Sequence, residues 1–574
     1  MEQKRIRLFT MKVKWSCLYL GFFILLSAGV VNAQGTVVSG KVTDENGSST
    51  PGASITIKGT TNGTVTGVNG DYSLSVPGPD AILVYSFIGY ESQEIRVGTQ
   101  AVINVSLKEA LTELQEIVVV GYGSQKRSDL TGSITTVSAK DISELPMART
   151  DQALQGRTSG VYVLNSDGSP GGETLIRIRG LNSINGGNQP LIVIDGLQGG
   201  DISSLNPMDI ESIEILKDAS ATAVYGSRGA NGVVLITTKL GKLGKPVIDA
   251  NISYGIQNLI KKLPVMTAGE FARFNNEYRS TFTGGGNVPN LLFTDAEIAA
   301  YERDGGTDWQ DVIYETGMLQ NYQLSVSGAS EALKYMVSSN FVDHKGILKG
   351  SSYDRISLRA NVNADITEWS DFGMNWSFTK DTYESPAFRR GQNVAFVAQA
   401  INVAPRWAPT EPVYDDDGSY HRHNPNYAAN DTWNPLASAI EPLMDRPTYR
   451  NNINLYLNFD LVENLSLKIS GGALLTNEEK RDYYNTKTMG GFANNGLAVL
   501  SESTYERYQN SNILTYDNTF NDAHHLTFTG VVEQIYDRGH GTNTEGKNFI
   551  VDQLTFNNIS GAQQLTMGSW ANER

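Results

Sequence analysis

The sequence predicts a mostly β chain: an export signal, a small β-sandwich, a mixed α+β domain, then long antiparallel strands of a membrane barrel. Three observations predict it. An N-terminal apolar run is too short to span a bilayer, period-two alternation punctuated by turn residues fills residues 36–108, and longer alternating strands recur after Gly244. Composition sets the outer bounds. The 574 residues carry 46 Lys+Arg against 61 Asp+Glu, and a net charge of −15 cannot neutralise phosphates, so no nucleic acid is expected as a partner. With 40% hydrophobic residues and 57 glycines, the chain is neither a bundle of membrane helices nor broadly disordered.

Residues 1–33 are the expected signal peptide. Lys12 and Lys14 precede an apolar run over 17–31, and Val31-Asn32-Ala33 places cleavage after Ala33. The run falls short of the ~20 residues of a spanning helix. Cys17 has most of that run after it, which is not the position of a lipid-modified cysteine. Residues 1–10 read as an upstream start or an extended basic region. Cleavage removes the only cysteine, and with it any disulfide or thiolate metal site. It also removes five basic residues (Lys4, Arg5, Arg7, Lys12, Lys14) and one acid, Glu2, moving the charge from −15 to −19.

Residues 36–108 alternate around turns at Asp44-Glu45-Asn46-Gly47, Pro51-Gly52 and Asn69-Gly70, giving about seven short strands and hence a small β-sandwich. A linker over 109–129 follows. It begins acidic and helix-prone, then runs Glu116-Ile117-Val118-Val119-Val120-Gly121-Tyr122-Gly123. This reads either as one more sandwich strand or as an exposed segment that pairs edge-on with a partner sheet.

Residues 130–240 hold the most specific patterns. A short helix near 151–157 ends at Gly156. Ile176-Arg177-Ile178-Arg179-Gly180 alternates apolar with basic, and Pro190-Leu191-Ile192-Val193-Ile194-Asp195-Gly196 is a buried strand turned by Asp-Gly. Residues 205–218 carry a capped helical turn into a strand ending Leu216-Lys217-Asp218. Small-residue helix at 219–224 leads to the turn Tyr225-Gly226-Ser227-Arg228-Gly229-Ala230-Asn231-Gly232 and a closing strand at 233–239. The glycines around Arg228 lack the spacing and the Lys-Ser/Thr of a phosphate loop. Arg177 and Arg179 share one face, which fits salt links to an acidic wall or an ordinary solvated strand face.

Several of these stretches resemble known families. Val42-Thr43-Asp44, Pro51-Gly52-Ala53, Gly70-Asp71-Tyr72-Ser73 and Phe87-Ile88-Gly89-Tyr90 resemble the carboxypeptidase-regulatory-like domain, an accessory module without catalytic residues. Residues 130–240 resemble the plug domain of TonB-dependent outer-membrane receptors. The runs at 176–180, 190–196 and 206–239 look like its SusC/RagA branch, of which this chain resembles the N-terminal portion. The implied order is signal peptide, regulatory-like sandwich, linker, α+β plug domain and an incomplete transmembrane antiparallel β-barrel over 245–574. The resemblance places Glu116, Ile117, Val118, Val119 and Val120 in the TonB-contacting segment. Its plug signature falls on Arg177, Arg179, Gly180, Asp195, Gly196, Lys217, Asp218, Tyr225, Gly226, Arg228, Asn231 and Gly232. It further implies a bacterial outer-membrane location in contact with lipid, an inner-membrane TonB complex, a SusD-like surface lipoprotein, and an oligosaccharide or peptide cargo. No residue identifies that cargo.

After Gly244, Ile356/Leu358/Ala360/Val362 alternate with Arg355/Ser357/Arg359/Asn361, and Ile453/Leu455/Leu457/Phe459 with Asn452/Asn454/Tyr456/Asn458. One apolar and one polar face fit lipid outside and a wet lumen inside; a secreted sandwich is the alternative. Thr367-Glu368-Trp369-Ser370 reads as a tight turn, and 383–448 as a long extracellular loop. Nine or ten strands are countable, against about 22 in plugged transporters. The polar tail at 568–574 shows no terminal strand ending in an aromatic residue, so a longer natural protein is expected.

No catalytic constellation is found, and neither a cofactor nor a metal is expected. There is no nucleophile elbow and no His-Glu-x-x-His. Asp415-Asp416-Asp417-Gly418, near His421 and His423, lacks complete ion-loop spacing and reads as a solvated loop. His524-His525 reads as a turn pair, and Asp209 and Glu211 as helix capping. Two rival functions remain: a signal-transducing receptor, which lacks the usual extra signalling domain, and a non-transporting surface adhesin, for which a plug would have no purpose.

Overall fold

The computed structural model describes residues 36–574 except 46, 61, 88–89, 109–116, 121–122, 127–132, 144–148, 166–167, 173, 185, 283–290, 386–399, 423–432 and 522–523. The expected signal peptide and Glu116 therefore lie outside the described residues. The chain divides after Glu116 into two compact units.

The first unit contains β1 (Thr36–Asp44), β2 (Ser54–Ile57), β3 (Gly63–Val65), β4 (Asp71–Val76), β5 (Ile82–Ser86), β6 (Gln93–Arg96) and β7 (Val105–Leu107). They form two sheets, ordered β4-β1-β7 and β3-β2-β5-β6. Alternation puts Val38, Val42, Ile55, Leu83 and Leu107 into one apolar core. Within it the Tyr72 hydroxyl meets that of Tyr85 at 2.6 Å and donates to the Ile103 carbonyl at 2.9 Å. Gly40 is required by packing, since a Cβ there would fall 1.9 Å from the Ile103 carbonyl oxygen.

The second unit opens with a hairpin, β8 (Ile117–Val120) on β9 (Gly123–Lys126). The Ile-Val-Val-Val run thus pairs with its own downstream neighbour. The plug follows, with β10 (Ile134–Ser138), β11 (Val161–Asn165), β12 (Thr174–Ile178), β13 (Leu191–Ile194), β14 (Leu197–Gln198), β15 (Ile210–Leu216) and β16 (Val233–Thr238). Five strands make a mixed sheet ordered β10-β15-β16-β13-β14, and β11 pairs β12 apart from it. Ile210, Ile213, Ile215, Val234 and Ile236 are buried at its centre with Val137, Ile176 and Ile178.

The wall comprises β17 (Gly244–Gln257), β18 (Gly317–Ala329), β19 (Leu333–Lys345), β20 (Ser352–Thr367), β21 (Ser370–Glu384), β22 (Leu443–Asp445), β23 (Pro447–Val462), β24 (Leu465–Tyr484), β25 (Leu497–Phe520), β26 (His524–Phe549) and β27 (Ala562–Glu573). Among the described residues ten run as an antiparallel meander and β22 adds to β24, making eleven against the nine or ten countable in the sequence. Turns at 330–332, 368–369 and 463–464 occupy one end, and longer connections the other. The tail does form a strand, though not one that ends in an aromatic residue: β27 pairs with β26 over 562–573, ordered by ladder bonds that its polar composition does not announce. Helices at Ala268–Phe282, Asp295–Asp304 and Trp309–Ile313, inside the first long connection, were also unforeseen. Two capping boxes, Thr267/Glu270 and Thr294/Glu297, were legible signals for the first two of them. The 383–448 stretch carries helices at Ala400–Val403 and Pro435–Ile440 as well as β22.

The faces of the wall are inverted relative to a water-soluble sandwich. Ile248 and Ile252 are 71% and 74% exposed, whereas Arg355, Arg359 and Asn361 are 1%, 5% and 1% exposed, because the polar face closes on the plug. No helix among the described residues is long and apolar enough to cross a membrane; β-strands are the other route.

Candidate functional site

The site is the seam where the inward face of the wall grips the plug. Its first anchor is the β13–β14 turn, in which Asp195 (φ 49°) and Gly196 (φ 87°) both take the left-handed conformation of a tight hairpin. The Asp195 carboxylate accepts from the Thr238 N–H at 2.9 Å and hydroxyl at 2.8 Å, pinning the end of β16. On its other side stands Arg359 of β20, with Nη1 at 3.4 Å. Asn454 of β23 donates to the Asp195 carbonyl at 2.8 Å.

The second anchor is Asp209. Its side chain was read as helix capping, and that is corrected: Asn206 caps the turn Pro207–Asp209 by accepting from the Met208 N–H. Asp209 instead crosses the seam. It accepts from Ser338 Oγ at 2.9 Å and Gln323 Nε2 at 3.3 Å, with Arg359 Nε at 4.0 Å. Burial holds its carboxyl above the usual range, against the opposing pull of Arg359 and Ser338. Arg359 therefore stands between two plug carboxylates. One inward stretch of β20 extends the grip: Arg355 donates to the carbonyls of Ser203 (3.1 Å) and Leu205 (3.4 Å), and Asn361 to Thr238 Oγ1 (2.7 Å) and the Lys239 carbonyl (2.9 Å).

A second cluster sits on β25 and β26. Gln509 accepts from the Gln198 N–H at 2.9 Å and donates to the Gly196 carbonyl at 3.2 Å, while Gln198 Nε2 donates to Glu533 at 2.8 Å. Arg507 reaches the Gln198 carbonyl at 3.2 Å, and Arg450 pairs with Asp201 at 3.2 Å.

The expected plug arginines behave otherwise. Arg177 donates to the Ile176 carbonyl and Arg179 pairs with Asp218, both inside the plug. Of the two readings open for them, the link to an acidic wall is the one these contacts disfavour: the wall presents Arg355, Arg359 and Arg450 to the plug, where they meet carbonyls and carboxylates. Lys217 donates to Thr135 Oγ1 (2.8 Å) and the Ser159 carbonyl (2.6 Å); burial, then Arg179, pushes its ammonium below the usual lysine range. Gly180 and Gly226 have positive φ, as does Gly232, where a Cβ would meet the Ile178 side chain at 2.7 Å. Tyr225 is buried, Arg228 is exposed, and Asn231 donates to the Gly187 carbonyl at 2.9 Å. Of the linker segment, Ile117, Val118, Val119 and Val120 form β8, which among the described residues pairs along one edge, with β9, in a two-stranded sheet.

On the long-connection side a cavity of about 880 Å³ separates plug from wall, lined by Arg149, Asp151, Tyr383, Arg446, Arg450 and Glu478 among others. Its arginines are neutralised locally: Arg149 by Asp151 (2.6 and 3.2 Å), Arg446 by Asp482 (2.7 and 3.0 Å). The space thus offers hydrogen bonds without a strong field of one sign. In the loop at 415–418, Asp415 meets His421 Nδ1 at 2.6 Å and closes a turn onto the Gly418 N–H; His423 lies outside the described residues. Among the described residues no group of three His, Cys, Asp or Glu is placed to hold a metal.

Comparison with known proteins gives two family matches, the TonB-dependent Receptor Plug Domain over residues 126–233 and the CarboxypepD_reg-like domain over 38–119. The chain is 35% identical over 557 residues to TonB-dependent receptor P3 of Formosa agariphila, covering 96% of this chain and 53% of that protein. It is 35% identical over 488 residues to TonB-dependent receptor SusC of Bacteroides thetaiotaomicron, covering 79% and 46%. The RagAB peptide importer in its open-open state matches in fold with a TM-score of 0.67 at 24% identity, over 80% of this chain and 53% of that one. The chain spans about half the length of the curated relatives it matches.

Proposed function

We propose that this chain, a SusC/RagA-like TonB-dependent receptor in domain order and fold, serves TonB-driven import of an oligosaccharide or peptide across the bacterial outer membrane. The observation that carries this reading is the seam itself: a plug held against the polar face of the wall through Arg359, Asp195 and Asp209, with apolar side chains on the opposite face of the wall.

A gate must be tight at rest and yet open under modest work. Hydrogen bonds suit that demand, because water replaces each one as it breaks and the net cost is only about 1 kcal/mol apiece. An apolar interface of the same area would resist separation more strongly. In this reading an inner-membrane TonB complex captures Glu116, Ile117, Val118, Val119 and Val120 by adding a strand to the β8 edge. Tension then passes into the plug at 130–240, and the Arg359 contacts part. The cavity on the long-connection side receives cargo first, under a SusD-like surface lipoprotein as lid. The sandwich at 36–108 is an accessory module, and the chain's role is transport, not catalysis.

Deleting residues 116–120 from the intact protein tests the reading. Cells that depend on this receptor should lose growth on the cargo while keeping the receptor in the outer membrane. Undiminished growth would sink it.

A further inference from the structure

The seam is not filled throughout. Nearer the short-turn end than Arg359, a cavity of about 410 Å³ lies between the ends of β13 and β16 and strands β20, β21, β23, β24 and β25. The cation in its lining is Lys468 of β24, and no carboxylate among the described residues pairs with its ammonium. The two nearby acids are engaged elsewhere. Asp195 is held by Thr238 and Arg359, and Asp371 accepts from Asn458 at 2.9 and 3.1 Å and from Asn363 at 3.2 Å.

That charge is positioned by the wall. Gly373 and Tyr456 are directly opposed on β21 and β23, and a Cβ at 373 would sit 1.9 Å from Tyr456 Cζ. The missing side chain lets the Tyr456 ring lie over Gly373, a cross-strand device that fixes an aromatic against a sheet. Lys468 Nζ stands 4.1 Å from the centroid of that ring. The ring partly offsets the loss of hydration without neutralising the ammonium. The Tyr456 hydroxyl accepts from Asn363 at 3.3 Å, so its own proton is available to donate.

We propose that this cavity is a carboxylate-binding site on the cargo's route past the plug, with the Lys468 ammonium and the Tyr456 hydroxyl as its donors. The inference rests on the import reading and narrows it to cargo bearing carboxylates: an oligosaccharide with uronic acids, or a peptide with acidic groups. Charge-assisted bonds of this kind are short and strong in a partly dry space.

The test uses the full-length protein in detergent with its lysines ¹³C-dimethylated, which keeps their charge. Sodium D-glucuronate, N-acetyl-L-aspartate and D-glucose are titrated separately. One resonance, missing from the spectrum of Lys468→Met, should shift with a carboxylate and not with glucose, and the variant should bind about tenfold or more weakly. A shift with glucuronate alone supports a uronic-acid cargo, and a shift with aspartate an acidic peptide. No shift with either acid, or an equal shift with glucose, overturns the site. Should Lys468→Met fail to give a folded barrel, mass spectrometry of the unsubstituted protein decides. Either acid should protect Lys468 from methylation, and equal labelling with and without it overturns the proposal. Failure here leaves the 116–120 deletion result standing, so the two readings fall separately.

Discussion

Ser338 of the wall donates its hydroxyl to the Asp209 carboxylate of the plug at 2.9 Å, a bond between residues 129 positions apart. It marks a point at which plug and wall are joined directly. Because the partners face each other so closely, the pair Asp209→Cys and Ser338→Cys should form a disulfide under oxidation. Uptake should stop when the bond forms and return with a reductant, measured as accumulation of labelled cargo in cells. Uptake that persists through a mass-verified crosslink would show that the plug need not leave this contact.

Arg359→Ala leaves Asp195 and Asp209 facing each other without their cation. Breaking a buried pair from one side costs roughly 3–5 kcal/mol, so the plug should sit less firmly. Single-channel recordings should show openings absent from the parent, and cells should become sensitive to large antibiotics. Arg359→Lys keeps the charge but not the fork, and should fall between the two.

In the sandwich, Gly40→Ala drives a Cβ to within 1.9 Å of the Ile103 carbonyl oxygen, a backbone atom that cannot swing away. Overpacking of this kind costs typically 1–3 kcal/mol. Limited proteolysis of the full protein should cut within 36–108 sooner than in the parent, while the wall stays resistant.

Acid should loosen the start of the plug. The Asp218 carboxyl is held below the usual range by the Ser133 N–H, then by the Arg179 side chain. A depressed folded-state pKa contributes stability that is full above the ordinary carboxylate range and is lost as pH falls through the depressed value. The protection of the Ser133 amide, its exchange measured against the intrinsic rate at each pH, should therefore fall below that range, and Asp218→Asn should remove the dependence. Protection that stays constant through that range in the parent would contradict the assignment.

Much of this was legible in the residues. Alternation between turn residues gave about seven short strands for the sandwich, though no run marked β3, and Asp195-Gly196 announced its turn because both positions need positive φ. Alternation also placed Arg355, Arg359 and Asn361 on one face. It could not say what stood behind that face, since a lumen filled by water and one filled by a plug demand the same polarity. That is why Asp209 reads as a cap, and why alternation leaves Arg177 and Arg179 open between links to an acidic wall and an ordinary strand face. The helices over 268–313 escaped because they lie in a connection, where strand periodicity has no purchase. The strand over 562–573 escaped because its order comes from β26, not from its own residues.

The hydrogen-bonded character of the seam also bears on temperature. Heat capacity changes when apolar surface meets water, and a contact built from Arg355, Arg359, Asn361, Asn454 and Gln509 exposes little of it on parting. The work of opening should hence vary little between a cold and a warm habitat. Unfolding of the plug's own isoleucine-rich core would show strong curvature over the same span. A gate with a flat thermal response, carried on a scaffold with a curved one, keeps its threshold where a hydrophobic seal would drift.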